Sequence, residues 1–166
     1  MIRKIRHWWT QTYADTKIKK TSASIGGHLR LIWKEETEVM TLNEISKIII
    51  GASFTVANEL GTGFLEKVYE NALLWELKNA GLKVEQQVPL NVMYKGICVG
   101  DYYADLYVEN QIIVELKATK NTDKIHKAQV LNYLRACDKK LGLLINFGNP
   151  RVTIERIANG IDDKEN

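Results

Sequence analysis

The 166-residue sequence contains only two cysteines, Cys98 and Cys137, which lie far apart in the chain. This argues against a disulfide-rich scaffold, and no cysteine–histidine spacing typical of a zinc site occurs. No run approaches the roughly 18 apolar residues that a membrane-spanning helix needs. The basic N-terminus is not followed by the apolar core of a signal peptide. We therefore predict a cytoplasmic protein that does not bind membranes.

Motifs of several common enzyme classes are also missing, and positive charge is unevenly distributed. The sequence has no Gly-rich phosphate loop of the Walker type and no nucleophile elbow. The net charge of +3 comes from residues 1–39, which hold 8 Lys/Arg and 4 Asp/Glu, whereas the remaining residues hold 15 and 16. Net charge alone therefore does not indicate a nucleic-acid partner.

One stretch is nevertheless rich in basic residues. Such a local cluster predicts either a surface that steers a polyanion or a solvated helix face, and the sequence leaves both open. Its members are Lys117, Lys120, Lys124, Lys127, Arg135, Lys139 and Lys140.

The chain divides into three predicted segments: residues 1–39, 40–158 and 159–166. The first has no sustained helical or strand period and contains Gly26-Gly27, which predicts a weakly ordered extension. Lys34-Glu35-Glu36 would have purine-rich codons, resembling a bacterial ribosome-binding site just before Met40. We therefore hypothesise that the native protein begins at Met40, the alternative being a native flexible arm. Residues 40–158 form the predicted domain, and 159–166 a polar tail.

Apolar spacing in the domain predicts the order α-α-β-β-β-α-β-β, an α/β fold with a mixed sheet. A capping box, Thr41-Leu42-Asn43-Glu44, predicts the start of the first helix. Pro89 cannot donate to a ladder, so the first strand is expected at an edge or with a bulge. The predicted helices are Leu42–Leu60, Phe64–Ala80 and Thr122–Asp138, and the predicted strands are Val84–Tyr94, Ile97–Val108, Gln111–Ala118, Leu141–Phe147 and Val152–Ile157.

Three ionisable residues lie in two neighbouring predicted strands. Glu115 and Lys117 share a face, and the hairpin before them brings Asp105 beside Glu115 if the register permits. Two carboxylates there repel each other unless a cation lies between them, and oxygen ligands suit Mg²⁺. Such an ion activates water against a phosphodiester, and the lysine stabilises developing charge. The spacing taken alone is a weak signal and favours a salt bridge on an exposed sheet face.

Longer motifs extend this set of residues and resemble the GxxExxY proteins, a family of the PD-(D/E)XK nuclease superfamily. The resemblance covers about residues 41–157, while residues 1–39 match nothing in the family. Ala104 precedes Asp105 where the superfamily name has Pro. The matching motifs are Gly63–Tyr69 (GFLEKVY), Tyr69–Leu73, Gln87–Leu90, Tyr94–Gly96, Ala104–Leu106, Ile113–Lys117 and His126–Leu134.

The resemblance implies a restriction-endonuclease-like core, with helices flanking the sheet, and a nuclease that hydrolyses phosphodiester bonds, expected in DNA. It implies Mg²⁺ or Mn²⁺ as cofactor, and Lys117 as the catalytic lysine. Gln129 and Tyr133 form a Gln-x-x-x-Tyr motif that would organise the site, and their i, i+4 spacing places them on one helix face. The implied metal ligands are Glu66, Asp105 and Glu115.

Several of these residues have simpler alternatives. Glu66 could be an ordinary exposed residue, and Gln129 and Tyr133 could be structural. His126 is expected either beside the ligands or at the surface, rather than as a ligand itself. Three tyrosines could stack on bases, although packing on the sheet is the expected use. These are Tyr102, Tyr103 and Tyr107.

The predicted partners follow from the nuclease hypothesis. Lys120, Lys124 and Lys127 are expected to contact nucleic acid, and a chain of this size would handle a duplex as a homodimer. The alternative functions are a non-catalytic module that keeps the fold and binds nucleic acid or protein, and another metal-dependent hydrolase, since fold does not fix substrate.

Overall fold

The computed structural model describes residues 20–25, 28–33, 39–121 and 124–160. The chain separates into two compact units, Met1–Met40 and Thr41–Asn166. In the first unit, strands β1 (Lys20–Ile25) and β2 (His28–Trp33) pair antiparallel. Our sequence interpretation did not foresee these strands. Gly26-Gly27 is compatible with weak order, but a Gly-Gly pair between two strands is also typical of a hairpin.

The described residues of the second unit form three helices and five strands in the predicted order, which confirms the α/β fold. The predicted start of the third helix, at Thr122, and the tail from residue 161 lie outside the described residues. The helices are α1 (Leu42–Leu60), α2 (Glu66–Asn79) and α3 (Lys124–Ala136), and the strands are β3 (Val84–Tyr94), β4 (Ile97–Val108), β5 (Ile112–Lys117), β6 (Leu141–Asn146) and β7 (Thr153–Ala158).

Local chemistry fixes the helix start and the hairpins. The capping box is confirmed, because Thr41 Oγ1 accepts from Glu44 N at 3.3 Å and Glu44 Oε2 accepts from Thr41 N at 2.8 Å. Lys95-Gly96 joins β3 to β4 with positive φ at both residues. Glu109 and Asn110, before β5, also have positive φ. Two successive positive φ values are typical of the type I′ turn, whose twist suits a hairpin.

The five strands form one mixed sheet in the order β3-β4-β5-β6-β7. β5 and β6 are parallel, and the other pairs are antiparallel. Parallel neighbours need a crossover, which α3 provides. β3 is an edge strand, which confirms the position that Pro89 predicts, and it also has a register shift between Val92 and Met93.

The sheet opens between two of its central strands. The β4–β5 ladder covers only Leu106–Val108 opposite Ile112–Val114. Beyond these pairs β4 continues alongside β3, and β5 continues alongside β6 as far as Lys117. The parting strands leave a gap into which side chains of both can point.

Helices cover both faces of the sheet. Gly142 of β6 faces α3, since a Cβ there would meet Val130 and Leu134. Arg156 of β7 points to the opposite face, where Nη1 donates to Ser46 Oγ of α1 at 2.8 Å. All six residues of β6 are buried, so this strand is covered on both faces of the sheet. Among the described residues, no helix is long and apolar enough to cross a membrane.

Gly148 follows β6 at a close approach to the chain segment after β5. A Cβ on Gly148 would lie 2.1 Å from the Thr119 carbonyl oxygen, so the backbone would have to move. We expect Gly148→Ala to lower the free energy of unfolding by about 1–3 kcal/mol or more. Gly100→Ala is the control, because its Cβ would make an ordinary 3.6 Å contact with Tyr102, and we expect a change within about 0.5 kcal/mol. Urea denaturation of both variants measures this, and equal stabilities would contradict the expectation.

Candidate functional site

Asp105 spans the gap between β4 and β5. Its Oδ2 accepts from Leu116 N at 2.8 Å, and its Oδ1 accepts from Gln87 Nε2 at 3.2 Å. The Lys117 carbonyl accepts from Phe147 N at 2.8 Å on the β6 side, so the neighbouring Leu116 N–H points towards β4. The Asp105 carboxylate therefore satisfies an amide that the ladder leaves free, and two donors fix its orientation.

Glu115 and Lys117 form a buried ion pair beside Asp105. Lys117 Nζ lies 2.8 Å from Glu115 Oε1, and the two side chains are only 14% and 5% exposed, respectively. The other oxygen, Glu115 Oε2, is buried and has no hydrogen-bond partner in the part of the chain that the structure describes. Burying a charged acceptor without a partner is costly. The alternative that we left open, a salt bridge on an exposed face, does not describe this pair.

The carboxylates at the gap disfavour one another's charged forms. Burial raises the pKa of Glu115 to about 7, and the Asp105 charge adds to this, while the hydrogen bond from Lys117 opposes it. Burial also raises the pKa of Asp105, against the hydrogen bond from Leu116 N. Burial acts to lower the pKa of Lys117, but Glu115 and the other nearby carboxylates raise it overall. A cation at this gap would relieve the repulsion.

Glu66, the first residue of α2, meets the end of β5 from another element. Its Oε1 accepts from Ala118 N at 3.3 Å, one residue beyond Lys117, and its charge adds to the raised pKa of Glu115. Glu66 is exposed, as expected of an ordinary surface residue, but it also borders the site.

Tyr69 explains how Glu66 reaches this position. It is fully buried, and its ring stacks on Phe147 with centroids 4.6 Å apart. Its hydroxyl donates to Gly61 O at 2.9 Å and accepts from Phe64 N at 3.3 Å. These bonds hold the loop before α2, so the helix begins at Glu66 and not at Phe64 as we predicted. The Gly63–Tyr69 motif thus pairs an acidic side chain with the aromatic residue that positions its helix.

The residues at the gap partly fit a hard divalent metal ion. Asp105 and Glu115 supply carboxylate oxygens, and the partnerless Oε2 is an oxygen ready for a cation. However, within the described ranges, no three His, Cys, Asp or Glu side chains are close enough to hold a metal. The set of three ligands that includes Glu66 therefore stays a prediction.

Gln129 and Tyr133 of α3 meet as their spacing predicts, because Gln129 Nε2 donates to the Tyr133 hydroxyl. Tyr133 is buried in a cluster with Leu90 and Val130, so it does pack on the sheet. Burial raises its pKa against the hydrogen bond from Gln129, and the Glu115 charge raises it further. The hydroxyl thus lies within electrostatic reach of the carboxylates, and α3 joins the site.

The basic residues between Lys117 and Lys140 differ in their surroundings, and some of their charges already contact other side chains. Lys120 and Lys124 are exposed, but Lys127 pairs with Glu155 at 2.5 Å. Lys139 lies over the ring of Tyr107, 5.7 Å from its centroid. His126 is half-buried on α3. Nucleic-acid contact by Lys120, Lys124 and Lys127 stays a prediction, and the ion pair weakens the case for Lys127.

Gln87 and Glu70 are site residues that sequence reasoning missed. Gln87 has a φ of 53°, and its Nε2 donates to Glu70 Oε1 at 3.0 Å as well as to Asp105. Glu70 is buried and pairs with Lys67 at 2.9 Å. The i, i+4 spacing of Glu66 and Glu70 was a usable signal, because it places both carboxylates on one face of α2.

Asn146, also missed, fixes the chain that follows Lys117. It is buried at the end of β6, and its Oδ1 accepts from Thr119 N at 3.1 Å and Gly148 N at 2.9 Å. Its Nδ2 donates to Thr119 O at 2.8 Å. A lone amide side chain in an otherwise apolar strand was the signal in the sequence.

Comparison with known proteins gives one family match. The family model described as PDDEXK_3, PD-(D/E)XK nuclease superfamily, matches residues 43–157. A solved structure described as "Crystal structure of SSO0001" is 20% identical, with a TM-score of 0.43 over 74% of this chain and 59% of that one. The chain thus spans less than two thirds of that structure. No curated protein matches the chain.

The raised pKa of Glu115 predicts a pH-dependent stability in metal-free buffer. The folded chain holds this proton more tightly than the ordinary pKa of 4.5 allows, so the stabilisation is full below pH 4.5 and is lost as pH rises through about 7. Between these limits we expect the wild type to lose roughly 3 kcal/mol more than Glu115→Gln, since one pKa unit is about 1.4 kcal/mol. Urea unfolding with EDTA at both ends of this range measures the difference, and parallel pH profiles would refute it.

The buried hydroxyl of Tyr69 predicts a cost for its removal. Tyr69→Phe keeps the stacking on Phe147 but removes the partners of Gly61 O and Phe64 N. We expect the free energy of unfolding to fall by about 1–3 kcal/mol. Tyr103→Phe, which removes an exposed hydroxyl, serves as control. Thermal and urea unfolding report the change, and two indistinguishable variants would show that the hydroxyl does not hold the loop.

Proposed function

The chain belongs to the PD-(D/E)XK nuclease superfamily, and from this premise we propose that it is a metal-dependent nuclease that hydrolyses phosphodiester bonds in DNA. One observation carries the proposal: the buried Glu115 pairs with the half-buried Lys117 beside the half-buried Asp105 at the opening of the sheet, and Glu115 Oε2 finds no hydrogen-bond partner among the described residues. The Gly63–Tyr69 motif supports placing the chain in the GxxExxY family.

The carboxylates would hold Mg²⁺ or Mn²⁺. Asp105 and Glu115 would be the main ligands, and Glu66 a third oxygen donor from α2. When bound, the ion would activate water and offset charge on the phosphate. Leu116 N and Gln87 hold the Asp105 carboxylate before any ligand arrives, which favours a defined geometry.

Lys117 and Tyr133 would act on the phosphate itself. As water attacks phosphorus and the bond to the leaving oxygen breaks, negative charge grows on the phosphoryl oxygens. The Lys117 ammonium, kept protonated by its carboxylate neighbours, would stabilise that charge. The raised pKa of Tyr133 keeps its hydroxyl protonated, so it would donate a hydrogen bond to a phosphate oxygen, with Gln129 fixing its direction.

Basic side chains would guide the DNA backbone. Lys120 is exposed just beyond β5, and Lys124 is exposed at the start of α3. Both therefore lie near Lys117 in the chain and are free to reach phosphates, whereas the Lys127 charge is partly neutralised by Glu155. Phosphate contacts of this kind would add affinity without reading sequence.

A second candidate, a binding module without catalysis, is favoured by one observation. In the described part of the chain, no three potential metal ligands lie close together. Such a module need not take up Mg²⁺ at the carboxylates, whereas the nuclease must. Calorimetric titration of Mg²⁺ into wild type and Asp105→Ala separates the two: uptake that the substitution removes supports the nuclease, and absence of uptake supports the module.

Cleavage of labelled single- and double-stranded DNA tests the proposed reaction. We expect Mg²⁺-dependent hydrolysis that EDTA abolishes, and a loss of about 100-fold or more in Lys117→Ala, as for removal of a group that stabilises transition-state charge. Asp105→Ala should lose activity as well. The matched control is Lys78→Ala, an exposed lysine near the other end of α2. Activity that survives both site substitutions would exclude this site.

A further inference from the structure

A cleft lies between α3 and the β3–β4 hairpin, beside the candidate site. Its volume is about 750 Å³. Gln129 and Tyr133, whose side chains are hydrogen-bonded to each other, belong to its lining. The charges of Glu115 and Asp105 contribute to the raised pKa of the Tyr133 hydroxyl, so the cleft adjoins the site at this residue. The lining consists of Val92, Met93, Tyr102, Ile125, Ala128, Gln129, Asn132, Tyr133, Arg135 and Ala136.

Apolar side chains in the cleft are left exposed. We expected Tyr102 to pack on the sheet, but 47% of it is exposed, although its ring lies 5.4 Å from that of Tyr133 at an angle of 50°. Met93 is 59% exposed, and Ile125 is exposed as well. The cleft therefore presents an aromatic ring and aliphatic surface to a ligand with a flat apolar face.

The charge of the cleft favours an anion. Among its lining residues there is no carboxylate, and Arg135 is the only residue with a full charge. The helix α3, which forms one wall, contains Lys124 and Arg135 and no Asp or Glu, while the charge of its Lys127 is partly neutralised by Glu155 of β7. A ligand with both flat apolar faces and negative charges satisfies both properties of the cleft.

We propose that this cleft binds unpaired nucleotides of a single-stranded DNA segment, whose backbone continues to the carboxylates. A base stacks on Tyr102 beside Met93, and a phosphate meets Arg135. A stacked base must expose its face, which a base inside a duplex does not, so the substrate class is single-stranded DNA. This inference rests on the proposed nuclease function and names the form of its substrate.

Binding in the absence of metal tests the cleft separately from catalysis. Fluorescence anisotropy of the full chain in EDTA compares a labelled single-stranded oligonucleotide with the blunt duplex of the same sequence. We expect tighter binding of the single strand, and Tyr102→Ala to weaken it about tenfold, as for loss of one stacked base. Tyr102→Trp keeps an aromatic face and should bind like the wild type. Tyr103→Ala removes the neighbouring exposed tyrosine, which does not line the cleft, and should have no effect.

A second pair of variants excludes an indirect effect of Tyr102 through Tyr133. Met93→Glu places a carboxylate in the cleft, and Val99→Glu places one outside its lining on the same hairpin. Both residues are 59% exposed, so neither change should disturb folding. Like-charge repulsion should weaken single-strand binding at least tenfold in Met93→Glu and leave Val99→Glu close to the wild type. Circular dichroism confirms that the variants remain folded.

Distinct outcomes overturn the inference. It fails if the wild type does not bind the single strand, if it prefers the duplex, or if Tyr102→Ala and Met93→Glu bind like their controls. It also fails if sedimentation shows a wild-type dimer that Met93→Glu dissociates without weakening DNA binding, because the cleft is then an interface between copies. Failure of the nuclease proposal looks different: Lys117→Ala retains cleavage, whatever the cleft variants bind.

Discussion

The rest of this structure depends on one constraint, the placing of two carboxylates in the gap where strands β4 and β5 separate. Asp105 and Glu115 lie at this opening, and each raises the free energy of ionising the other. Lys117 offsets part of this charge, and the Leu116 amide offsets another part, but one oxygen of Glu115 keeps no partner. The surrounding residues must hold such an arrangement in place, and a cation at this opening would be stabilised by the carboxylates.

Neighbouring residues hold these carboxylates in place. β5 pairs with β6 along its whole length, and Asn146 fixes the chain after Lys117 to the end of β6. Tyr69 holds the loop that brings Glu66 to the same edge. Gln87 links Asp105 to Glu70, so a second buried carboxylate is connected to the site by one amide group. The acidic residues are thus supported from a helix and three strands.

Much of the fold could be predicted because its signals are local. The capping box at Thr41, the apolar periods and Pro89 each depend on neighbours along the chain, and the structure confirms the elements that they predicted. Two features differ from the predicted elements. The sequence does not predict β1 and β2, because Gly26-Gly27 is compatible with both weak order and a hairpin. The helix α2 begins at Glu66 because the Tyr69 hydroxyl accepts from Phe64 N, a side-chain contact that helical periodicity does not reveal.

For the site, the sequence by itself determined which side chains share a face: Glu115 with Lys117 by the strand period, and Gln129 with Tyr133 by the helix turn. Only the tertiary structure decided that the ion pair is buried, that the pKa of Glu115 rises to about 7, and that Gln87 bridges two carboxylates. It also decided that Tyr102 lines an open cleft and not a closed core. The physical reason is that the angle between successive side chains is set by the local helix or strand. Burial and the electrostatic interaction between charges depend instead on distances between residues that are far apart in the chain.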